Sequence, residues 1–253
     1  MILTFLGTGT SQGVPVITCN CTVCKSDDLR DNRLRSSLLV ETDGKTLVID
    51  TGPDFRQQMI REKVAFLDAV LITHGHKDHI AGLDDVRAYN YVSGYPMDVY
   101  GSADALENIK RDFFYVFSKN AYPGIPRINL IEIFNRGFYI GETLITPIEV
   151  DHMNLKVFGF RIGDMTYITD CNRIPEAEMQ KISGTRVLIL NALRMKPHVS
   201  HFSLPEALEV IEKIHPERAY ITHISHQLGL HASVSESLPE NVFLGYDGLK
   251  VSL

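Results

Sequence analysis

The sequence has little that would tie it to a membrane or to a long polyanion. No stretch approaches the roughly 20 consecutive apolar residues that a bilayer-spanning helix needs. The opening segment, MILTFLGTGTSQG, is apolar for only a few residues, and it lacks both a basic leader and the apolar core of a secretion signal. It reads as a first strand running into a Gly/Thr/Ser loop, and a cytoplasmic protein with no membrane partner is expected. Clustered cations are missing as well. The formal net charge is −6. In residues 25–35, Lys25, Arg30, Arg33 and Arg35 are nearly cancelled by Asp27, Asp28 and Asp31. A long nucleic acid held through its phosphates needs a basic stripe, so none is expected as a partner. A small anionic substrate remains compatible, because metals can supply the positive charge. Nothing repeats, and no segment is low-complexity.

Cysteine is scarce too, with four in 253 residues. Three of them, Cys19, Cys21 and Cys24, crowd into TCNCTVCK as C-x-C-x2-C. That spacing is too tight for disulfides, and in a reducing compartment clustered thiols are more often metal ligands. The cluster is one ligand short of a closed tetrahedral zinc site. Cys171, His215 and His231 are candidates to complete it, and spacing alone does not choose among them.

What the chain does have is many short β-like runs: Ile2–Leu6, Ser37–Glu41, Thr46–Asp50, Ala69–Thr73, Asp98–Tyr100, Leu144–Val150, Val157–Ile162, Thr166–Thr169, Arg186–Leu190, Ala219–Thr222 and Leu249–Leu253. Several are near-continuously apolar, as strands buried on both faces are. Helical patterns fall between them at Asp54–Lys63 (after Pro53), His79–Asn90, Ala103–Phe114, Pro175–Lys181 and Leu204–Ile214. The last is preceded by Ser203 with Glu206 three positions on, a capping box. Strands in two groups with helices between them suggest two sheets covered by helices, in an α/β (α+β) chain that reads as one domain over 1–253. The aromatic segment Phe113–Phe134 departs from this regularity. It reads either as a helix end followed by a surface loop, or as a lid, pocket wall or dimer contact.

The strongest chemical signal is LITHGHKDHIAG. An apolar strand runs into His74, His76, Asp78 and His79, after which a helix begins. Core histidines usually come singly, whereas four metal-competent side chains within six residues suit a loop that aims them into one cleft. Imidazole with carboxylate favours Zn, Mn or Fe over Ca or Mg. Three further donors follow apolar runs: His152 in EVDH, Asp170 in YITD and His223 in YITH. Singly, each has a bland reading as a turn, cap or core residue. Together they would arrive at one sheet edge.

T-H-x-H-x-D-H, followed by a later His, Asp and His at strand ends, resembles the metallo-β-lactamase superfamily, as do FLGTGTSQGVP and YDG. The resemblance covers essentially the whole chain and implies an αββα four-layer sandwich with a di-metal site on one edge. It implies that His74, His76 and His152 bind one metal, that Asp78, His79 and His223 bind the other, and that Asp170 bridges them. A hydroxide between two such ions is a nucleophile at neutral pH, because coordination lowers the pKa of water to about 7. Asp78 and His201 are the catalytic candidates. His201 precedes the helix capped at Ser203, where the superfamily's phosphodiesterases carry a histidine that protonates the leaving group. His198 reads as a surface or capping residue. Arg194 is a secondary candidate for a phosphate contact, and a surface salt bridge is an equal reading.

The di-metal motif is shared by lactonases, thioesterases, tRNA 3′-processing endonucleases and phosphodiesterases. The cysteine cluster resembles that of PhnP-type phosphodiesterases. It implies a structural zinc on Cys19, Cys21, Cys24 and His226, in an excursion at about 14–35, and a small phosphodiester or cyclic ribose or nucleotide phosphate as substrate. A pyrroloquinoline quinone biosynthesis branch also pairs this fold with a cysteine-rich zinc. It tends to be longer and to depart from the complete di-metal ligand set, which this chain keeps. The cofactors expected are two active-site metals (Zn or Mn) and one structural Zn. A homodimer is expected from family behaviour and the aromatic segment.

Overall fold

The computed structural model describes residues 1–118 and 123–253. The first seven-stranded sheet contains β1 (Ile2–Gly7), β2 (Ser37–Thr42), β3 (Lys45–Ile49), β4 (Ala69–Leu71), β5 (Met97–Gly101) and β6 (Ile128–Glu132), with the C-terminal strand β14 (Lys250–Ser252) beside β1. The second has the order β13-β12-β11-β10-β9-β8-β7, formed by β7 (Phe138–Ile140), β8 (Thr143–His152), β9 (Leu155–Ile162), β10 (Met165–Ile168), β11 (Val187–Asn191), β12 (Arg218–Thr222) and β13 (Val242–Leu244).

The period-two alternation of strands explains the layers. In β3, Leu47 and Ile49 enter the core between the sheets, while Val48 faces the helices. In β11, Val187 and Ile189 face inward and Leu188 and Leu190 face outward. Both faces of each sheet are therefore buried, which is why these strands read as unbroken apolar runs. The central core joins Leu3, Phe5, Leu38 and Ile49 of one sheet to Ile145, Phe160, Tyr167 and Ile189 of the other. On the outside of the first sheet lie α1 (Phe55–Glu62), α2 (Lys77–Ile80), α3 (Arg87–Ser93) and α4 (Ala103–Asp112). On the outside of the second lie α5 (Glu176–Ile182), α6 (Leu204–Ile214) and α7 (His231–Ser235). The result is the αββα sandwich. Each large apolar side chain buried this way contributes about 1.5–3 kcal/mol. At the start of α6 the capping box forms as read: the Ser203 N–H donates to Glu206 Oε2 at 2.8 Å.

Several boundaries differ from the sequence reading. His79–Asn90 is not one helix. It divides into the end of α2, a 3-10 turn at Leu83–Val86, and α3. The break falls at Gly82, whose N–H donates to Thr51 O at 2.9 Å. A Cβ on Gly82 would lie 2.1 Å from Gly52 O, and one on Gly52 would lie 2.1 Å from Asp78 O. Two backbone loops thus pack directly on each other and pin the histidine-rich loop to the end of β3. Three strands, Ile128–Glu132, Phe138–Ile140 and Val242–Leu244, were too short to stand out, and all three lie at sheet edges. The Phe113–Phe134 segment spans positions 119–122, which lie outside the described residues. Of the remainder, Phe113 and Ile133 are core, Phe114 is exposed, and Ile128–Glu132 is the edge strand β6. Among the described residues, no helix is long and apolar enough to cross a membrane.

Candidate active site

The donors named from the sequence arrive at one edge of the sandwich because of strand direction. β3 and β4 run parallel, as do β10, β11 and β12, and β8 runs the same way by way of antiparallel β9. Ligand sites in such sheets sit beyond the strands' carboxyl ends. His74 lies just past β4, His152 ends β8, Asp170 lies just past β10 and His223 follows β12. A hydrogen bond from Phe158 N–H to Thr73 O at 3.0 Å ties the two sheets together here.

Two groups result. His74, His76, His152 and Asp170 form one, and Asp78, His79, Asp170 and His223 form the other; in each, one ligand atom per residue lies within 4.8 Å of the rest. Asp170 belongs to both. Its Oδ1 is 3.0 Å from His223 Nδ1, and its Oδ2 is 3.4 Å from His79 Nε2 and 3.8 Å from His74 Nε2. Buried imidazole nitrogens are normally hydrogen-bonded, yet His79 Nε2 and His223 Nδ1 are buried with no hydrogen-bond partner among the described residues. Orphaned imidazole nitrogens converging with carboxylates are the donor set that divalent metals such as zinc satisfy.

The opposite nitrogens are held. His79 Nδ1 pairs with Asp50 Oδ2 at 2.7 Å, His74 Nδ1 with Thr73 Oγ1 at 3.0 Å, His152 Nδ1 with Ser200 O at 2.8 Å and His223 Nε2 with Thr10 Oγ1 at 3.2 Å. Such partners fix ring orientation and tautomer. Burial opposes a charge on His79, but Asp78, Asp170 and Asp50 together hold its pKa well above the ordinary imidazole value. Burial and neighbouring His79 push His74 well below it. Burial likewise raises Asp50, against the pull of His79. Asp50 and His223 both have positive φ, 65° and 55°, a conformation that costs a non-glycine residue about 1–3 kcal/mol and that concentrates at functional sites.

His201 stands beside the pair of groups and belongs to neither. Its ring lies 4.9 Å from those of His152 and His223, and its Nε2 is 3.3 Å from Asp170 Oδ2. His198 is close by, with its Nδ1 3.3 Å from His201 Nδ1, so it is part of this cluster rather than a plain surface residue. Arg194 spends its donors on Lys196 O, Pro197 O and Gln227 Oε1, which argues against the phosphate contact read from the sequence.

The cysteine cluster sits apart from this edge. His226 Nδ1 lies 3.3, 3.3 and 3.5 Å from the sulfurs of Cys19, Cys21 and Cys24. About 3.6 Å separates sulfur and nitrogen ligands on a tetrahedral zinc. The other three candidates are engaged elsewhere: Cys171 is in the outer core of the second sheet, His215 caps α6, and His231 packs on Arg33. Cys21→Ala is expected to remove one equivalent of zinc and to lower Tm by roughly 6–10 °C, the size of a loss of about 3 kcal/mol. Elemental analysis and a thermal melt check this, and an unchanged Tm with full zinc content would show the cluster to be idle.

The sequence reading missed Asp50, Thr73, Thr10 and Ser200. Only Asp50 carried a signal: LVID ends an apolar run in a carboxylate, as YITD does.

A model of the beta-lactamase superfamily domain matches residues 45–224. The chain belongs to the metallo-β-lactamase superfamily. Among solved structures it is similar to a diphosphatase of the PhnP family, with 38% identity and a TM-score of 0.94, over 100% of this chain and 97% of that one. Among curated proteins it is 40% identical to an octanoyltransferase of Porphyromonas gingivalis over 97% of its own length. It spans only 50% of that relative. It is also 27% identical to the coenzyme PQQ synthesis protein B of Methylorubrum extorquens, over 76% of this chain and 72% of the relative. In this superfamily the fold implies a hydrolase with divalent metals such as zinc, and the histidine–aspartate groups fit that requirement.

Proposed function

We propose that the protein is a di-metal phosphodiesterase acting on small phosphodiesters, among them cyclic ribose or nucleotide phosphates. The observation that carries this reading is Asp170, shared by two four-residue groups, with His201 Nε2 3.3 Å from its Oδ2. Two Zn or Mn ions bound there would activate water for attack and offset the charge that grows on the phosphoryl oxygens. The protein's own residues do the rest. His74, His76 and His152 would hold one ion, Asp78, His79 and His223 would hold the other, and the partners behind them keep each ring aimed. As the bond from phosphorus to the leaving oxygen breaks, His201 gives its Nε2 proton to that oxygen, because an alkoxide leaves poorly unless protonated. The low count of exposed cations in residues 25–35 suits a small substrate better than a long nucleic acid.

The similarity to a PhnP-family diphosphatase supports chemistry at phosphorus. The name octanoyltransferase belongs to a chain twice as long as the matched part, so acyl chemistry is the alternative to test. Purified protein loaded with Zn or Mn is expected to turn over bis-aryl phosphates and 2′,3′-cyclic nucleotides, and diphosphate-linked compounds belong in the same panel. Turnover of a lactone or a thioester, with none of the phosphorus substrates, would sink the proposal.

A further inference from the structure

We propose that Ser200 is a positioning residue whose hydroxyl and carbonyl set the tautomers of His201 and His152. The proposal rests on His201 being the proton donor of the phosphodiesterase reading. Two of the partners have a fixed hydrogen-bond direction. A carbonyl only accepts, so Ser200 O at 2.8 Å makes His152 Nδ1 the protonated nitrogen and leaves Nε2 bare for the cluster. A backbone N–H only donates. Ser200 N–H faces His198 Nδ1 at 3.4 Å, which makes that nitrogen an acceptor.

One arrangement of the serine hydroxyl engages both rings at once. It lies 3.2 Å from His198 Nδ1, an acceptor, and 2.9 Å from His201 Nδ1. It gives its proton to His198 and accepts one from His201 Nδ1. In that arrangement His201 carries its proton on Nδ1 and turns Nε2 toward the cluster. That atom is buried, has no hydrogen-bond partner and lies 3.3 Å from Asp170 Oδ2. A low pKa at His198, caused by burial and by the charges of His201 and Arg194, keeps it an acceptor. Without the hydroxyl, His201 Nδ1 keeps, among the described residues, only the longer 3.3 Å contact to His198 Nδ1, which holds the ring less firmly. One residue thus aims both the proton donor, through its side chain, and a metal ligand, through its backbone.

Ser200→Ala removes the first role and retains the second. On a diester with an alkyl leaving group its turnover is expected to fall about tenfold, the scale of a misaligned general acid. An aryl leaving group, which departs without protonation, should lose much less. Metal content and Tm should match the native protein, and Ser200→Thr should restore turnover. Nitrogen-15 NMR of the zinc-loaded native protein should show His201 protonated at Nδ1, and Ser200→Ala should lose that signature. A native His201 that lacks a proton on Nδ1, loss of metal from Ser200→Ala, or an equal fall on both substrates would overturn the proposal. His201→Ala is assayed beside it. If that variant shows no dependence on the leaving group, the proton-donor reading fails and the role of Ser200 falls with it. If His201→Ala is impaired on the alkyl diester and Ser200→Ala is not, only the Ser200 assignment is wrong.

Discussion

Asp170→Ala is expected to strip both metals at once and to lower turnover by on the order of a thousandfold or more, the several kcal/mol that bound metals supply. The expectation follows from the sharing of a single carboxylate. Without Asp170, one group is left with His74, His76 and His152, and the other with Asp78, His79 and His223. Each group loses one ligand of four and both lose the same negative charge, so two ions held there would repel each other more strongly. The groups around Asp170 show the same balance. Burial alone would raise the Asp170 pKa, but His223 and His79 hold it well below the usual carboxylate range. Asp170→Asn keeps the shape and removes the charge, and it should retain at most one metal. By contrast, His152→Ala touches only one group and should leave the other ion in place. Metal counted per chain by elemental analysis separates these outcomes. Asp170→Ala retaining one full equivalent would mean that the carboxylate serves a single ion.

Asp170 was legible in the sequence because the chemistry and the strand pattern coincide there. The same is true of His74, His152 and His223: an apolar run ends and a donor follows. Parallel strands buried on both faces deliver such residues to a common edge, so a list of runs nearly becomes a map of the site. The partners behind the ligands were not legible in this way. Thr10 and Thr73 are ordinary residues next to a strand until the fold sets a hydroxyl on a ring nitrogen. Ser200 acts partly through its carbonyl, a group that every residue carries. Asp50 had a signal of the same form as Asp170, but its role depends on a left-handed backbone turn that no local pattern announces. The fold shows a parallel division. Two-layer burial was written into the apolar runs, whereas the break after α2 depends on Gly82 meeting Gly52, a contact between residues 30 positions apart in the chain. Likewise the cysteines were visible at once, but His226 reaches them only because the turn after β12 places it three residues from His223.

His201→Ala is expected to reduce turnover of alkyl diesters about a hundredfold or more, within the range of general acid catalysis, while both active-site metals stay bound. The rival reading is that His201 is itself a ligand, and its location keeps that rival serious. Its Nε2 is 3.3 Å from Asp170 Oδ2, and its ring lies nearly parallel to that of His223 with an interplanar angle of 11°. Two features separate the roles. His201 completes neither four-residue group, since each already has its fourth donor. Its Nδ1 also contacts a second imidazole, His198, a pairing that the outer nitrogens of His74, His79, His152 and His223 do not make. Removal of a ligand would cost metal and depress every substrate alike. Removal of a proton donor costs nothing in metal, and its effect grows as the leaving group becomes more basic. Alanine also leaves a gap against His223, so His201→Gln, which refills most of that volume without an acidic proton, is the sharper variant. If His201→Gln keeps its metals and its Tm, yet processes aryl diesters far better than alkyl ones, then the group lost from the site was a proton donor and not a wall.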